Sequence, residues 1–281
     1  MISRRTCLLL PFGSWAAFAQ QKDEFICPMD PDVRSRTPGL CPRCHMRLVA
    51  NLPAPVEYPV TIATSPADLR PGVPFVLRLR IVDPKSGAPV RHFEMVHERP
   101  IHLFLVSESL SYFNHAHPEL QPDGQFQLGL KLPFGGMYRL AADFYPSGGL
   151  PQLAEQTLFV AGSAPVSALA PDVQPKTTEN LNVVLRLDPE ELFAGQTTKL
   201  RFQLSPADGL ELYLGAWGHM LIASGDLIDL IHTHPFDSKP DGGSIVFETV
   251  FPRPGLHRCW VQFQSRSVVN TASFTVDVRE L

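Results

Sequence analysis

The strongest constraint on this chain is that most of it is written twice. Ile101-His102-Leu103 aligns with Gly218-His219-Met220, and His115-Ala116-His117-Pro118 with His232-Thr233-His234-Pro235, at a constant offset of 117 residues. Leu132-Pro133-x-x-Gly136-x-Tyr138-Arg139 aligns with Phe251-Pro252-x-x-Gly255-x-His257-Arg258 at an offset of 119, and Asp143-Phe144 then falls on Gln262-Phe263. A near-constant offset of this kind signals internal duplication. The fold must therefore be one that a segment of modest length can adopt twice in tandem.

Within each copy the pattern is that of β structure. Phe75 to Val82 alternates apolar and basic residues, and Val246–Phe251, Cys259–Phe263 and Thr271–Val278 are similar short runs separated by Gly, Pro and Asp. No amphipathic helix of useful length stands out. The chain has 28 prolines against 19 glycines, which favours short strands and rigid connections over long helices. Hydrophobic residues make up 44% and charged residues 19%, enough to fill real cores. The expected fold is mainly β: a small Cys-rich metal-binding module, then two tandem antiparallel β-sandwiches of immunoglobulin-like or cupredoxin-like kind. The expected division is an export signal at 1–19, a Cys/Met module at 20–50, a linker at 51–57, repeat 1 at 58–161, a linker at 162–180 and repeat 2 at 181–281.

The N-terminus has the layout of a secretory signal. Arg4 and Arg5 precede an apolar stretch from Cys7 to Phe18, and Ala17-Phe18-Ala19 is an A-x-A cleavage site. The stretch is too short to span a bilayer comfortably. The expected location is periplasmic or secreted, with Ser3-Arg4-Arg5 hinting at the twin-arginine route and no stable membrane insertion after cleavage. A net charge of −4 leaves no electrostatic footprint for nucleic acid and no basic face for an anionic membrane.

Two sets of residues carry chemistry. The first is Cys27-Pro28-Met29 with Cys41-Pro42-Arg43-Cys44-His45-Met46. Thiolate, thioether and imidazole suit soft or borderline ions, copper or zinc. A C-x2-C pair with a further cysteine upstream, all in Pro/Gly turns, reads as a metal knuckle, although an oxidising compartment also allows a disulfide. Cys259 sits in an apolar strand pattern and reads as a small buried hydrophobe.

The second set is histidine. If residues 100–117 form a hairpin turning at Glu108-Ser109, His102 lies opposite His115, and His117 follows on the same face. The same hairpin in repeat 2, turning at Gly225-Asp226, places His219 opposite His232, with His234 alongside. Each trio can hold one Cu(II) or Zn(II) and leave a position open. A one-residue slip in register would scatter each trio. The bland alternative is a structural His-x-His-Pro corner inherited by both copies. His97-Glu98, in repeat 1 only, could add a ligand or form a loop ion pair. Asp143 and Gln262 are candidate acceptors for a ligand's outer N–H, or ordinary turn or strand-surface residues. His257 reads as structural.

Residues 25–49 resemble the short heavy-metal-binding domain of copper/silver efflux ATPases and efflux adaptor subunits, sharing Cys27-Pro28-Met29, Pro31, Pro38-Gly39, Cys41-Pro42, Cys44, Met46 and Leu48. The chain departs from that pattern with Asp30 where the family has His and His45 where it has Gly, which implies an altered ligand set. The repeats resemble YtkA-like secreted domains through their His-Leu, His-x-His-Pro and Asp-Phe pattern. Together these resemblances imply an exported, non-enzymatic protein that handles copper or a related metal, with a metal efflux or delivery protein as partner. The rival reading is a structural zinc knuckle joined to sandwiches that dock an envelope partner. A three-His metalloenzyme is a third reading, and the repeats offer no obvious general acid or base for it beyond Asp143 and Glu98.

Overall fold

The computed structural model describes residues 24–29, 33–42, 46–50, 55–165, 168–236 and 240–281. The expected signal at 1–19, residues 51–54 of the expected linker, Asp30, Cys44 and His45 lie outside these. Among the described residues the chain is all β, with no helix.

The N-terminal module has two short paired strands, β1 (Phe25–Ile26) and β2 (Arg34–Ser35). Repeat 1 contains β3 (Val60–Ser65), β4 (Phe75–Ile81), β5 (Ile101–Ser107), β6 (Phe113–Ala116), β7 (Glu119–Leu120), β8 (Gln125–Leu130), β9 (Gly136–Phe144) and β10 (Gln152–Val160). They form two antiparallel sheets, β3-β4-β8-β7 and β10-β9-β5-β6. Repeat 2 contains β11 (Lys176–Thr177), β12 (Asn182–Asp188), β13 (Leu192–Phe193), β14 (Thr197–Ser205), β15 (Leu210–Glu211), β16 (His219–Ser224), β17 (Leu230–Thr233), β18 (Ser244–Val250), β19 (Gly255–Ser265) and β20 (Val268–Arg279). Its sheets are β11-β12-β14-β18 and β13-β20-β19-β16-β17, with β15 paired to β19. Strand β11 falls inside the stretch expected to be linker, and Asp172 just before it bridges to Thr275. The Pro-rich connection is thus partly absorbed into the second sandwich.

Most strands alternate as the sequence pattern dictates. In β4, Phe75, Leu77, Leu79 and Ile81 enter the core while Arg80 faces water. Strands β5 and β16 differ, because every residue in them is buried. Ile101, Leu103 and Leu105 fill the core of the first sandwich, and Met220 and Ile222 that of the second. The opposite face carries Phe104 and Val106 in β5, and Leu221 and Ala223 in β16. These meet across the boundary between the repeats, together with Leu110, Ala141, Leu227, Leu230 and Trp260. Phe113 of repeat 1 stacks on Trp260 of repeat 2 with ring centroids 5.2 Å apart and 9° between planes. Equivalent strands therefore pack face to face, as in the self-complementary interface of a two-fold dimer. His102 and His219 lie on these same outer faces and so point at the boundary.

Candidate metal centre

Both hairpins form, with a register displaced from the expected one. Phe104 rather than His102 lies opposite His115, and Leu221 rather than His219 lies opposite His232. The turns move one residue on, to Ser109-Leu110 and Asp226-Leu227, with Leu110 and Leu227 both in the left-handed region. A shift of two residues in pairing preserves side-chain parity. Each trio therefore stays on one face, with the H-x-H pair further along the strand than expected.

The larger correction concerns the number of clusters. The sequence pattern points to one separate trio in each repeat; the fold instead presses the two faces together and merges them. Ring centroids of His102 and His219 are 5.8 Å apart, and those of His102 and His232 are 5.4 Å apart. Within repeat 1, His102 Nδ1 lies 2.9 Å from His115 Nε2 and 3.2 Å from His117 Nε2. Within repeat 2, His234 Nε2 lies 3.0 Å from His219 Nδ1.

The outer partners decide which nitrogens carry protons. His102 Nε2–H donates to the Val96 carbonyl at 3.0 Å, and His219 Nε2–H to the Tyr213 carbonyl at 2.9 Å. Carbonyl oxygens only accept, so the inward Nδ1 of each neutral ring is a lone pair. His115 Nδ1–H donates to Gln262 Oε1 at 2.8 Å, and His232 Nδ1–H to Asp143 Oδ2 at 2.8 Å. Their inward Nε2 atoms are lone pairs as well. Asp143 and Gln262 thus sit where outer acceptors are needed, but each serves the other repeat's histidine. Each lies directly beside its own repeat's first histidine in the sheet, in the pairs His102–Asp143 and His219–Gln262.

Two lone pairs facing each other at 2.9 Å repel unless a cation lies between them. Two imidazoles on one ion, with metal–nitrogen bonds of about 2.0–2.1 Å, have their nitrogens about 2.8–3.4 Å apart. The observed separations fall in that range. The Nε2 of His232 is buried and makes no hydrogen bond.

Burial favours the neutral form of His102, His115, His117, His219 and His234, which is the form that ligates metal. Desolvation is the largest cause for His102, His115, His219 and His234, all held well below the usual histidine value, and neighbouring imidazoles add to it. His117 is lowered to about 4, by burial first and then by the positive charge of Arg99. Three sets of three histidines bring their ligating nitrogens within 4.8 Å of one another: His102-His115-His117, His102-His219-His232 and His97-His219-His234. In the sequence His97-Glu98 reads as either an added ligand of repeat 1 or a loop ion pair. The fold delivers His97 into the cluster, 6% exposed.

In the N-terminal module, Cys27, Cys41 and Met46 are buried and Met29 partly so. Their small core includes Val96 and Tyr145 of repeat 1. Cys259 is fully buried, its thiol pushed up to about 12 by desolvation, in keeping with an apolar role. His257 is buried and its Nδ1–H donates to the Gly255 carbonyl at 3.0 Å, away from the cluster.

A family model described as a domain of unknown function (DUF8832) matches residues 55–162 and again 176–280. A heavy metal binding domain matches residues 25–51. No curated protein is significantly similar to the chain. Among solved structures, the Escherichia coli adhesin FdeC is 14% identical, over 78% of this chain and 64% of that one, with a TM-score of 0.27. The chain thus spans less than two thirds of that structure. Two fibronectin type-III domains of chicken tenascin are 13% identical, over 79% of this chain and 99% of that one, with a TM-score of 0.24. Likeness at this level carries no argument about what the chain binds.

Proposed function

The chain belongs to the DUF8832 family, with two copies of the domain behind a heavy metal binding domain, and from that premise we propose that it captures and holds copper or zinc outside the cytoplasm. The carrying observation is the set of four imidazoles, His102, His115, His219 and His232, whose protons are fixed from outside so that their lone pairs converge. Imidazole clusters suit Cu(II) and Zn(II), and the Cys/Met module suits Cu(I) or Zn(II). The protein's role in this reading is sequestration or delivery, without turnover, with an efflux or delivery protein as recipient. The signal-like N-terminus supports export.

The test is metal content by elemental mass spectrometry of the full chain, purified without a tag from the compartment in which it accumulates. Metal bound to the wild type and largely lost from His115→Ala/His117→Ala/His232→Ala/His234→Ala supports the reading. Unchanged stoichiometry in that variant sinks the sandwich site.

A second reading applies to the module alone. Its buried cysteines share a core with Val96 and Tyr145, which favours a structural zinc knuckle clamped to repeat 1. In that case a Cys27→Ser/Cys41→Ser/Cys44→Ser variant loses stability while the sandwiches keep their metal.

A further inference from the structure

The two halves of the cluster are related by the repeat, but they are not alike. Above each half lies a two-residue turn of the same shape. Val96 and Arg99 exchange backbone hydrogen bonds at 3.0 Å each, closing a turn on His97-Glu98. Tyr213 and Ala216 do the same, at 2.8 and 3.1 Å, closing a turn on Leu214-Gly215. All four central residues are left-handed, with φ of +46° and +65° in the first turn and +51° and +74° in the second. Such a turn favours Gly, Asn or Asp. His97-Glu98 is a poor choice by that standard, and Leu214-Gly215 is a better one.

Both turns do the same local work, since the Val96 carbonyl holds His102 and the Tyr213 carbonyl holds His219. Only the first adds an imidazole. Because the sandwiches face each other, that imidazole lands on the opposite repeat. The His97 ring lies 3.7 Å, centroid to centroid, from His234 and 5.2 Å from His219. At the equivalent place in repeat 2, Leu214 has no ligand atom to offer.

We propose, building on the metal reading above, that the centre holds two unlike ions. One sits in His102-His115-His117, all from repeat 1, where His115 and His117 are only partly buried. The other sits in His97-His219-His234, where all three rings are buried and one comes from the other sandwich. The first ion is exchangeable. The second is enclosed, releases slowly and ties the two sandwiches together. His232 stands between the sets, its ring 4.3 Å from His234 and 5.4 Å from His102, and its buried, unbonded Nε2 is the further ligand open to either ion. A single ion shared by His102, His219 and His232 is disfavoured. The Nδ1 of His102 and of His219 each lie 2.9–3.2 Å from a nitrogen of their own set, and one lone pair serves one ion.

The test is a Co(II) titration of the full chain, followed by release to excess chelator. An ion bound by thiolate gives sulfur-to-metal charge-transfer absorption, and imidazole-bound ions do not, so the Cys module is read separately. The wild type is expected to bind two imidazole-held ions, one leaving at least about tenfold more slowly than the other, the scale on which a ligand's support alters affinity. The key variant is His97→Leu/Glu98→Gly, which writes the repeat 2 turn into repeat 1 and so preserves the fold. It is expected to lose the slow ion and keep the fast one, while His115→Ala/His117→Ala does the reverse. A slow ion that survives in His97→Leu/Glu98→Gly, or one imidazole-held ion that releases alike in both variants, overturns the proposal and leaves the metal reading standing. No imidazole-held ion in the wild type overturns both.

Discussion

The Nδ1–H of His232 donates to Asp143 Oδ2 across the boundary between the two sandwiches, at 2.8 Å, and the His232 side chain is 4% exposed. Its repeat-related counterpart is His115 on Gln262. The two contacts have the same geometry but different chemistry, a carboxylate in one and an amide in the other. A carboxylate raises the basicity of the imidazole it holds and so strengthens it as a ligand. The duplicated centre is therefore biased from outside as well as from within.

Replacing Asp143 by Leu removes that acceptor and leaves a buried imidazole N–H without a partner. Metal affinity of the sandwiches is expected to fall by about 10–100-fold, and the metal-free protein to lose about 1–3 kcal/mol. Gln262→Glu, which writes a carboxylate onto His115, is expected to raise affinity. Competition titration against a chelator of known affinity checks both, and an Asp143→Leu variant with wild-type affinity contradicts the role assigned to this pair.

Trp260 holds the two repeats together from the second sandwich, and Ala141 is its counterpart in the first. Trp260→Ala deletes the ring that stacks on Phe113 and opens a cavity at the boundary. The expected cost is about 3–5 kcal/mol. Because the His cluster spans the same boundary, metal binding should weaken in parallel. Denaturant unfolding with and without added Zn(II) measures the two effects. Lost stability with intact metal affinity would show that the cluster does not depend on this packing.

Much of this was legible in the residues. The duplication, the sandwich class, the shared face of each trio and the availability of Asp143 and Gln262 all follow from spacing and alternation. The register was missed by two residues because the loop places left-handed positions at Leu110 and Leu227, where sequence gives no turn signal. The merging of the trios was missed because a period-2 pattern describes one sheet face at a time. A clue was present: Ile101 to Val106 is apolar at every position except His102, as expected for a strand buried on both faces. His97 was legible as a candidate added ligand of repeat 1, but its reach to the histidines of repeat 2 was not, since that depends on the packing of one sandwich against the other.

Acid should weaken the metal-free protein. Burial lowers the proton affinity of His102, His115, His219 and His234, and holds His117 at about 4, while unfolded histidine titrates near 6.5. Below pH 6.5 the unfolded chain takes up more protons than the folded one, so stability falls as pH drops from about 6.5 towards 4 and is level above that window. Thermal unfolding in chelator between pH 8 and pH 5 measures it. Bound metal steepens the dependence, because protons and metal compete for the same nitrogens. A flat profile from pH 7 to pH 5 would show that these rings are not desolvated.

Val96 links the Cys/Met module to the histidine centre physically. Its side chain belongs to the small core around Cys27, Cys41 and Met46, and its carbonyl accepts the Nε2–H of His102. Loss of the module's core should let the 96–99 turn relax, loosening both the proton placement on His102 and the position of His97. A Cys27→Ala/Cys41→Ala variant is therefore expected to weaken metal binding by the histidines about fivefold, the low end of measured couplings between sites. Histidine-held Co(II), followed by its visible absorption, gives the affinity directly. Equal affinity in the variant and the wild type would mean that the module and the histidine centre share a contact but work independently.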